Sequence, residues 1–316
     1  MTGATPHDIL ARGGVAVAGS AWEIAGRTCL VTGATSGIGR AAAEELARRG
    51  AELVLVARDR GRGETALAEI RARTGNAKLS LLLADLSSQA AIRRAAQEFL
   101  ASGRPLHVLL NNAGVVLLKR SETPDGIEST FAVNHLGYFL LTRLVEDRLR
   151  ESAPARVVNV ASDAHHYAGG RLDFDDLESR CAYRVMQVYG KSKLANILFT
   201  RELARRLAGS GVTVNALHPG FVGSNFGRNN GLLGRVSMTL LRPFARSPEK
   251  GAETAVWLCT APELEGRSGG YFFDRRPRRT HASAENDEDA HRLWEVSERM
   301  TGLVSTRSQS GIDSTS

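Results

Sequence analysis

The chain contains 316 residues, and its 41 lysines and arginines against 34 aspartates and glutamates give a formal net charge of +7. Hydrophobic residues make up 42% and charged residues 24%, which is typical of a globular protein and excludes a mostly disordered chain. The length suffices for one large domain or two small ones with a sizeable core. With three cysteines, the composition excludes a disulfide scaffold.

No run of about 18 apolar residues occurs, so the sequence predicts no membrane-spanning helix. The N-terminal segment carries Asp8 and lacks a long apolar block, which makes it a poor signal peptide. Cys29, Cys181 and Cys259 are far apart and form no C-x-x-C pair, so we interpret each as a small buried side chain in a reducing compartment. We therefore expect a cytoplasmic protein.

The densest basic stretch is Arg275-Arg276-Pro277-Arg278-Arg279. No nucleic-acid-binding motif accompanies it, so we interpret it as a solvated surface loop and expect no nucleic-acid partner. The alternative is a salt-sensitive contact with an anionic partner.

From Gly26 onward, short apolar runs alternate with patterns of helical period. The apolar runs predict strands at residues 28–31, 53–56, 79–84, 108–110, 157–160, 212–217 and 271–273. Helices are predicted between them, for example from about Ile38 to Arg49 with a stop at Gly50, and before Gly75. This alternation predicts right-handed βαβ units, and we assign the chain to the α/β class with a doubly wound (Rossmann) parallel sheet of about seven strands.

The domain organisation follows from the absence of a Pro/Gly-rich linker inside residues 26–300. We predict a single domain over residues 21–303. Residues 1–20 are expected to form a mobile N-terminal tail and residues 304–316 a disordered, Ser/Thr-rich C-terminal tail.

A glycine-rich turn, Thr32-Gly33-Ala34-Thr35-Ser36-Gly37-Ile38-Gly39, lies between the first predicted strand and the first helix. A helix N-terminus offers free backbone N–H groups and the positive end of the helix dipole, which suits a pyrophosphate. The glycines permit a tight turn and a close approach of the backbone to a ligand. The position of the turn predicts dinucleotide binding, and the alternative is a plain glycine-rich loop.

The end of the second strand bears on which nicotinamide cofactor binds. An acidic residue there would hold the ribose hydroxyls of NAD, but the sequence has Ala57-Arg58. A 2′-phosphate needs cations, and Arg58 and Arg40 supply two. We therefore predict NADP(H) in preference to NAD(H), and the alternative is that both arginines are solvated surface residues.

Tyr189 and Lys193 are four residues apart and would share one face of a helix. A nearby ammonium group stabilises tyrosinate, which would lower the phenol pKa of Tyr189 and make it a general acid or base. Ser162 follows the fifth predicted strand at the carboxyl edge, where such sheets bind ligands. Asn134 is a polar residue among apolar neighbours in a predicted helix, with a solvated position as the alternative.

Six ordered motifs carry a resemblance to a known family, namely the turn 32–39, Asn111-Asn112-Ala113-Gly114, Asn134, Ser162, the pair Tyr189/Lys193, and Pro219-Gly220. Over residues 26–300 the chain resembles the short-chain dehydrogenase/reductase family. Four finer segments resemble its retinol dehydrogenase and WW-domain oxidoreductase branch, namely Ala57-Arg58-Asp59, Val133-Asn134-His135-Leu136-Gly137, Ser162-Asp163-Ala164-His165-His166 and Ser192-Lys193-Leu194-Ala195-Asn196. We expect neither the N-terminal anchor of membrane-bound retinol dehydrogenases nor a WW domain.

The resemblance implies a role for each catalytic position. Tyr189 would donate a proton to a carbonyl oxygen during reduction, or remove it from the alcohol during oxidation, and Lys193 would lower the tyrosine pKa and hold the nicotinamide ribose. Ser162 would hydrogen-bond the substrate oxygen, and Asn134 would hold a water that links Lys193 to solvent. The nicotinamide itself supplies the hydride.

The resemblance also implies the cofactor contacts, in which Asp85 lies near the adenine and residues 112–114 flank the adenosine ribose. Ser224 stands where the family often has threonine and keeps the hydroxyl that helps to hold the carboxamide. The segment Asp173-Phe174-Asp175-Asp176 is implied to be an inserted surface loop. The full set of implied cofactor-binding residues is Gly33, Ser36, Gly37, Ile38, Gly39, Arg40, Arg58, Asp85, Leu86, Asn112, Ala113, Gly114, Tyr189, Lys193, Pro219, Gly220, Val222 and Ser224.

Residues 224–246 are implied to cover the substrate. Their apolar content suggests a lipophilic carbonyl or alcohol, although an amphipathic helix packed on the core or on another subunit would show the same pattern. His165-His166 lacks a matching cluster of acidic residues or cysteines, so we predict no metal site.

These features together predict an NADP(H)-dependent oxidoreductase that interconverts a carbonyl and an alcohol on a small-molecule substrate. The alternative is a non-catalytic NADP(H)-binding sensor or regulator with the same fold, which would not need all four catalytic positions. The natural substrate, the direction of the reaction and association into a homo-oligomer stay open.

Overall fold

The computed structural model describes residues 22–222 and 245–303. The strands in this part of the chain are β1 (Thr28–Thr32), β2 (Glu52–Ala57), β3 (Leu79–Leu83), β4 (Val108–Asn111), β5 (Ala155–Val160), β6 (Val212–Leu217), β7 (Tyr271–Phe273) and β8 (Arg276–Pro277). They form one sheet in the order β3-β2-β1-β4-β5-β6-β7-β8, parallel except for the antiparallel pair β7 and β8. The predicted doubly wound parallel sheet is confirmed.

The helices alternate with the strands. Their bounds are α1 (Gly37–Arg48), α2 (Arg60–Thr74), α3 (Gln89–Ala101), α4 (Gly137–Leu144), α5 (Glu146–Glu151), α6 (Val185–Arg206), α7 (Pro248–Thr260) and α8 (Asp287–Met300). The predicted stop at Gly75 is the left-handed C-cap of α2, with a φ angle of 70°. Across the described part of the chain, no helix combines the length and the apolar character needed to cross a bilayer.

The sheet is buried on both faces, as the continuous apolar runs require. Successive side chains of β1 point to opposite faces, so Cys29 and Val31 pack in the layer of α1 and α7, while Leu30 packs in the layer of α3 and α4. Both faces are therefore closed by helices. The carboxyl ends of the parallel strands are left as the edge at which a ligand can reach the chain.

Two local expectations differ from the structure. Cys29 and Cys259 are buried as predicted, but Cys181 is exposed, because it lies in an irregular surface segment between β5 and α6. The basic stretch 275–279 is exposed as predicted, yet part of it pairs with β7 as the short strand β8. A run this short has no sequence period, so only its tertiary partner reveals it.

Several expectations fall outside the described residues. These are the two tails, residues 1–20 and 304–316, Ser224, and nearly all of the segment 224–246 that is implied to cover the substrate.

Candidate active site

The glycine turn between β1 and α1 brings two backbone segments close together. Gly33 and Gly37 have φ angles of 67° and 58°, a left-handed conformation that glycine adopts without strain. A Cβ added at Gly39 would lie 2.2 Å from Asn112 Nδ2 and 2.5 Å from the Gly33 carbonyl oxygen. The turn is therefore a cradle that a side chain at position 39 would fill.

The segment after β4 braces this cradle. The Thr32 hydroxyl accepts hydrogen bonds from the backbone N–H groups of Asn112 at 2.8 Å and Ala113 at 3.0 Å. The Asn112 side-chain amide donates back to the Thr32 carbonyl oxygen at 2.9 Å. Asn112 and Ala113, implied to contact the cofactor, therefore also fix the shape of the glycine turn.

The N-terminus of α1 is open to an anion. Its N-cap residue, Ser36, makes no side-chain capping hydrogen bond to any described residue. By contrast, the side chains of Asp59, Ser88 and Asn286 cap α2, α3 and α8. Backbone N–H groups of the first turn of α1 are left for a ligand, and the helix dipole favours a negative one. The cradle and the uncapped helix together fit the pyrophosphate of a nicotinamide dinucleotide.

The two arginines of the predicted phosphate site differ in their surroundings. Arg58 is exposed directly after β2, and its side chain makes no hydrogen bond or ion pair with another described residue. Arg40 is half-buried and forms an ion pair with Glu69 of α2. Asp85 is exposed after β3, and its carboxylate accepts hydrogen bonds from the Ser87 N–H at 2.9 Å and hydroxyl at 2.8 Å. Of the two arginines, Arg58 is thus the one without an ion-pair partner among the described residues.

Other implied cofactor residues have structural partners. Val222 and Ile38 pack around Gly251 of α7, where an added Cβ would lie 2.6 Å and 3.2 Å from their side chains. Leu86 is buried in the core layer of α3 and α4. Gly220 has a φ angle of 85°, and an added Cβ there would lie 2.8 Å from the side chain of Arg246. The side chains of Val222, Ile38 and Leu86 therefore serve packing.

Tyr189 and Ser162 meet at the carboxyl end of β5. Ser162 follows that strand as the N-cap of a 3₁₀ helix over Asp163–Tyr167, and it hydrogen-bonds the Tyr189 hydroxyl. Gly190 permits this approach, because a Cβ there would lie 2.6 Å from the Ala164 carbonyl oxygen and 2.8 Å from the Ala168 nitrogen. The sequence analysis assigned no role to Gly190, although a glycine inside a helical pattern signals close packing.

Lys193 lies one helical turn beyond Tyr189 and is buried. Its amine donates a hydrogen bond to the Val160 carbonyl oxygen at 2.9 Å, and its nitrogen is 5.6 Å from the centre of the Tyr189 ring. Burial lowers the pKa of Lys193 to about 7. Burial also raises the pKa of Tyr189, and the hydrogen bond from Ser162 offsets part of that rise. Lys193 is not among the causes of this shift, so the predicted lowering of the Tyr189 pKa by Lys193 stays a prediction.

Asn134 is buried in a π-helical segment, Ala132–Leu136, and not in the ordinary α-helix that the sequence predicts. Its amide oxygen accepts the Val115 N–H at 2.7 Å, and its amide nitrogen donates to the Val115 carbonyl at 3.0 Å and to the Ser192 hydroxyl at 3.0 Å. π-Helical turns inside helices are frequent at functional sites. The contact with Ser192 ties Asn134 to the helix that carries Tyr189 and Lys193.

Asp163, His165 and His166 place one potential metal ligand atom each within 4.8 Å of one another. However, the ring nitrogens of His165 lie 2.8 Å from the Ser162 carbonyl oxygen and 3.1 Å from the His281 N–H. The Asp163 carboxylate is also engaged, since Arg278 pairs with it at 2.6 Å. The ring nitrogens of His165 and the Asp163 carboxylate therefore already have protein partners.

The comparisons with known proteins agree with this geometry. A family model described as short chain dehydrogenase matches residues 27–173 and 177–231. Retinol dehydrogenase 12 of Mus musculus is 47% identical over 281 residues, covering 89% of this chain and 88% of the relative, and retinol dehydrogenase 11 of Homo sapiens is 45% identical, covering 89% and 87%.

Two solved structures show the same fold. A putative uncharacterized protein from Mycobacterium Paratuberculosis is 34% identical with a TM-score of 0.71, covering 89% of this chain and 95% of that protein. The Pseudomonas aeruginosa RhlG/NADP active-site complex is 29% identical with a TM-score of 0.62, covering 80% and 96%.

The fold and the family match together define a nicotinamide-dependent oxidoreductase acting on carbonyl or alcohol groups of small molecules. The chain belongs to the short-chain dehydrogenase family. Within that family it groups with the retinol dehydrogenases.

Proposed function

We propose that the protein is an NADP(H)-dependent oxidoreductase in which Tyr189, Lys193, Ser162 and Asn134 form the catalytic set. The observation that carries this proposal is the hydrogen bond between Ser162 and Tyr189 at the carboxyl edge of the sheet, one helical turn from the buried Lys193. Two hydroxyl groups that converge on one point can both hydrogen-bond the oxygen of a carbonyl or an alcohol.

The glycine cradle and the N-terminus of α1 would hold the cofactor, whose nicotinamide accepts or supplies the hydride when it is bound. During reduction, the Tyr189 hydroxyl would donate a proton to the substrate oxygen, and Ser162 would stabilise the negative charge that develops there. With a pKa of about 7, the Lys193 amine can take up and release a proton near neutral pH, and so can replace the proton that Tyr189 gives away. Asn134 would keep the Tyr189 helix in place through Ser192.

The preference for NADP(H) rests on Arg58. Its exposed guanidinium follows directly after β2 and has no competing partner among the described residues. Arginine binds phosphate through charged, often bidentate hydrogen bonds. The RhlG relative is titled as a complex with NADP, which agrees with this proposal without deciding it.

A lipophilic substrate is supported by the surface around the site. The large apolar side chains that are exposed in the described residues are Leu118, Tyr167, Met186 and Phe221. Each lies within five residues of Gly114, Ser162, Tyr189 or Gly220. Exposed apolar side chains on the segments that carry the site residues suit an apolar ligand. The named relatives, retinol dehydrogenases 11 and 12, act on a lipophilic alcohol.

The test follows NADPH and NADH absorbance with the purified full chain and a panel of aldehydes, ketones, quinones and the matching alcohols. We expect turnover with at least one lipophilic member, and a loss of at least about 100-fold in kcat for Tyr189→Phe. Tyr183→Phe is the matched control, because the Tyr183 hydroxyl donates to the Leu117 carbonyl oxygen at 3.0 Å and has no part in the proposed catalytic set. If the protein binds NADPH but turns over no substrate, the alternative of a cofactor sensor replaces this proposal.

A further inference from the structure

The short turn that carries Ser162 is held by a histidine that the proposed reaction does not use. We propose that His165 is a positioning residue that fixes Ser162 for catalysis by bridging the Ser162 carbonyl to the backbone at His281, an inference that rests on the proposed function. The residue lies in the 3₁₀ helix three positions after Ser162 and is buried.

The two ring nitrogens of His165 have distinct partners. The Nδ1 atom lies 2.8 Å from the Ser162 carbonyl oxygen, and the His281 backbone N–H donates to Nε2 at 3.1 Å. Because Nε2 accepts a hydrogen bond, it carries no proton, and Nδ1 must carry the ring proton and donate it to Ser162. The contacts therefore require one neutral tautomer of the ring.

The environment keeps the ring neutral. Burial has the largest effect and lowers the pKa of His165, and the neighbouring His166 and His281 lower it further, while the Ser162 carbonyl and Asp163 act in the opposite direction. The His166 ring centre is 4.1 Å away. A protonated ring would turn an N–H toward the N–H of His281 and would lose that hydrogen bond.

The bridge matters because His165 is the side chain that holds the carbonyl oxygen of Ser162 itself, whereas Arg278 and Tyr271 hold the next residue, Asp163. The turn has five residues, and the Ser162 carbonyl oxygen also accepts the backbone N–H of His165 at 3.1 Å. On the other side, the Asp163 N–H donates to His218 Nδ1 at 3.2 Å. The turn is thus fastened from both sides by neutral imidazoles. A displacement of a catalytic group by about 1 Å can cost about 100-fold in rate.

Two substitutions separate the two hydrogen bonds. In His165→Asn, the side-chain amide nitrogen can take the place of Nδ1 and keep the bond to Ser162. In His165→Gln, the amide oxygen can take the place of Nε2 and keep the bond to His281 but not the bond to Ser162. His291→Asn is the control, because His291 is an exposed histidine on α8, outside the Ser162 turn.

The experiment compares kcat, the dissociation constant for NADPH and the melting temperature of these variants with those of Ser162→Ala. We expect kcat to fall about 10- to 100-fold in His165→Gln and by less than about threefold in His165→Asn, with NADPH affinity unchanged in both. Equal kcat in the two variants, or kcat losses that only follow the melting temperatures, would overturn the positioning role. If Ser162→Ala retains full activity, it is the proposed catalytic set that fails.

A second measurement does not depend on the variants folding. Long-range ¹H–¹⁵N spectra of the histidine-labelled wild-type protein report which ring nitrogen carries the proton. We expect the Nδ1–H tautomer for His165 at neutral pH. An Nε2–H tautomer or a doubly protonated ring at that pH would refute the bridge.

Discussion

The amine nitrogen of Lys193 lies 5.6 Å from the centre of the Tyr189 ring, one helical turn away, while its hydrogen bond goes to the Val160 carbonyl oxygen. This places a group that can exchange protons near neutral pH beside the phenol. We expect Lys193→Met to lower kcat by at least about 100-fold, because the proton on Tyr189 can no longer be replaced. Lys191→Met is the control on the same helix, since its amine donates to the Asp176 carbonyl instead. The measurement is the steady-state kcat of both variants. If kcat falls by a similar factor in both, Lys193 has no specific role in proton transfer.

Arg58 should set the choice of cofactor. In the wild-type protein we expect kcat/KM to favour NADPH over NADH by at least about tenfold, because each tenfold ratio corresponds to about 1.4 kcal/mol, within the range of a charged hydrogen bond. Arg58→Asp should reduce or reverse this ratio. Arg94→Asp makes the same change of charge at an exposed position on α3 and should leave the ratio unchanged. Comparable kcat/KM values for the two cofactors in the wild-type protein would show that Arg58 is only a surface residue.

The Thr32 hydroxyl should be needed for both stability and cofactor binding. Thr32→Val leaves the half-buried N–H groups of Asn112 and Ala113 without their acceptor, and an unpaired donor costs up to about 1–3 kcal/mol when it is fully buried. We therefore expect a lower free energy of unfolding and weaker NADPH binding. Thr32→Ser keeps the hydroxyl and should restore most of both. Urea unfolding and fluorescence titration with NADPH measure the two effects, and an unaltered affinity in Thr32→Val would separate the brace from the cofactor site.

The parallel sheet could be predicted from the sequence because its strands are buried on both faces and read as apolar runs. The predicted strands 212–217 and 271–273 have the observed bounds, and the others differ by one or two residues at their ends. The ends of the strands are harder to predict, because the pattern of apolar residues does not define where the backbone hydrogen bonding between strands stops. The two-residue strand β8 has no period at all, and only its pairing with β7 defines it.

The site was predictable where a motif places residues on one element, as for Tyr189 and Lys193. It was not predictable where segments far apart in sequence meet. Ser192 shares a helix with Tyr189, yet its partner Asn134 lies 58 residues away. His165 contacts a backbone N–H 116 residues away. The sign of the Tyr189 pKa shift also required the structure, because desolvation depends on how many atoms surround the phenol.

Gly39 in the glycine cradle and Gly61 in α2 should respond in opposite ways to substitution by alanine. Gly39→Ala would place a Cβ 2.2 Å from Asn112 Nδ2 and 2.5 Å from a backbone oxygen, and backbone cannot move aside cheaply. We expect a lower melting temperature and loss of NADPH binding. Gly61→Ala in α2 meets nothing closer than 3.7 Å and should stabilise the protein by up to about 1 kcal/mol, because alanine is the better helix former. Thermal melts with and without NADPH test both. Full cofactor affinity in Gly39→Ala would contradict the assignment of the cradle.

Acid should destabilise the protein through His135. The residue is fully buried against the rings of Phe131, Phe139 and Phe199, and burial lowers its pKa to about 3. In the unfolded chain His135 binds a proton below about pH 6.5, whereas in the folded chain it binds one only below about pH 3. As the pH is lowered from about 6.5 to about 3, the free energy of unfolding should therefore decrease. This group contributes up to about 1.4 kcal/mol of that decrease per pH unit.

His135→Gln should remove this contribution, since glutamine does not titrate. Its unfolding free energy at pH 7 should be lower than that of the wild type, because the amide replaces a ring that packs against three others. Between pH 7 and pH 4.5, however, it should change less steeply. Urea midpoints at several pH values give the two slopes, and His166→Asn controls for the loss of an exposed imidazole. This substitution removes only the protonation of His135 from the titration. If the unfolding free energies of His135→Gln and the wild type change equally with pH, His135 is not the group responsible.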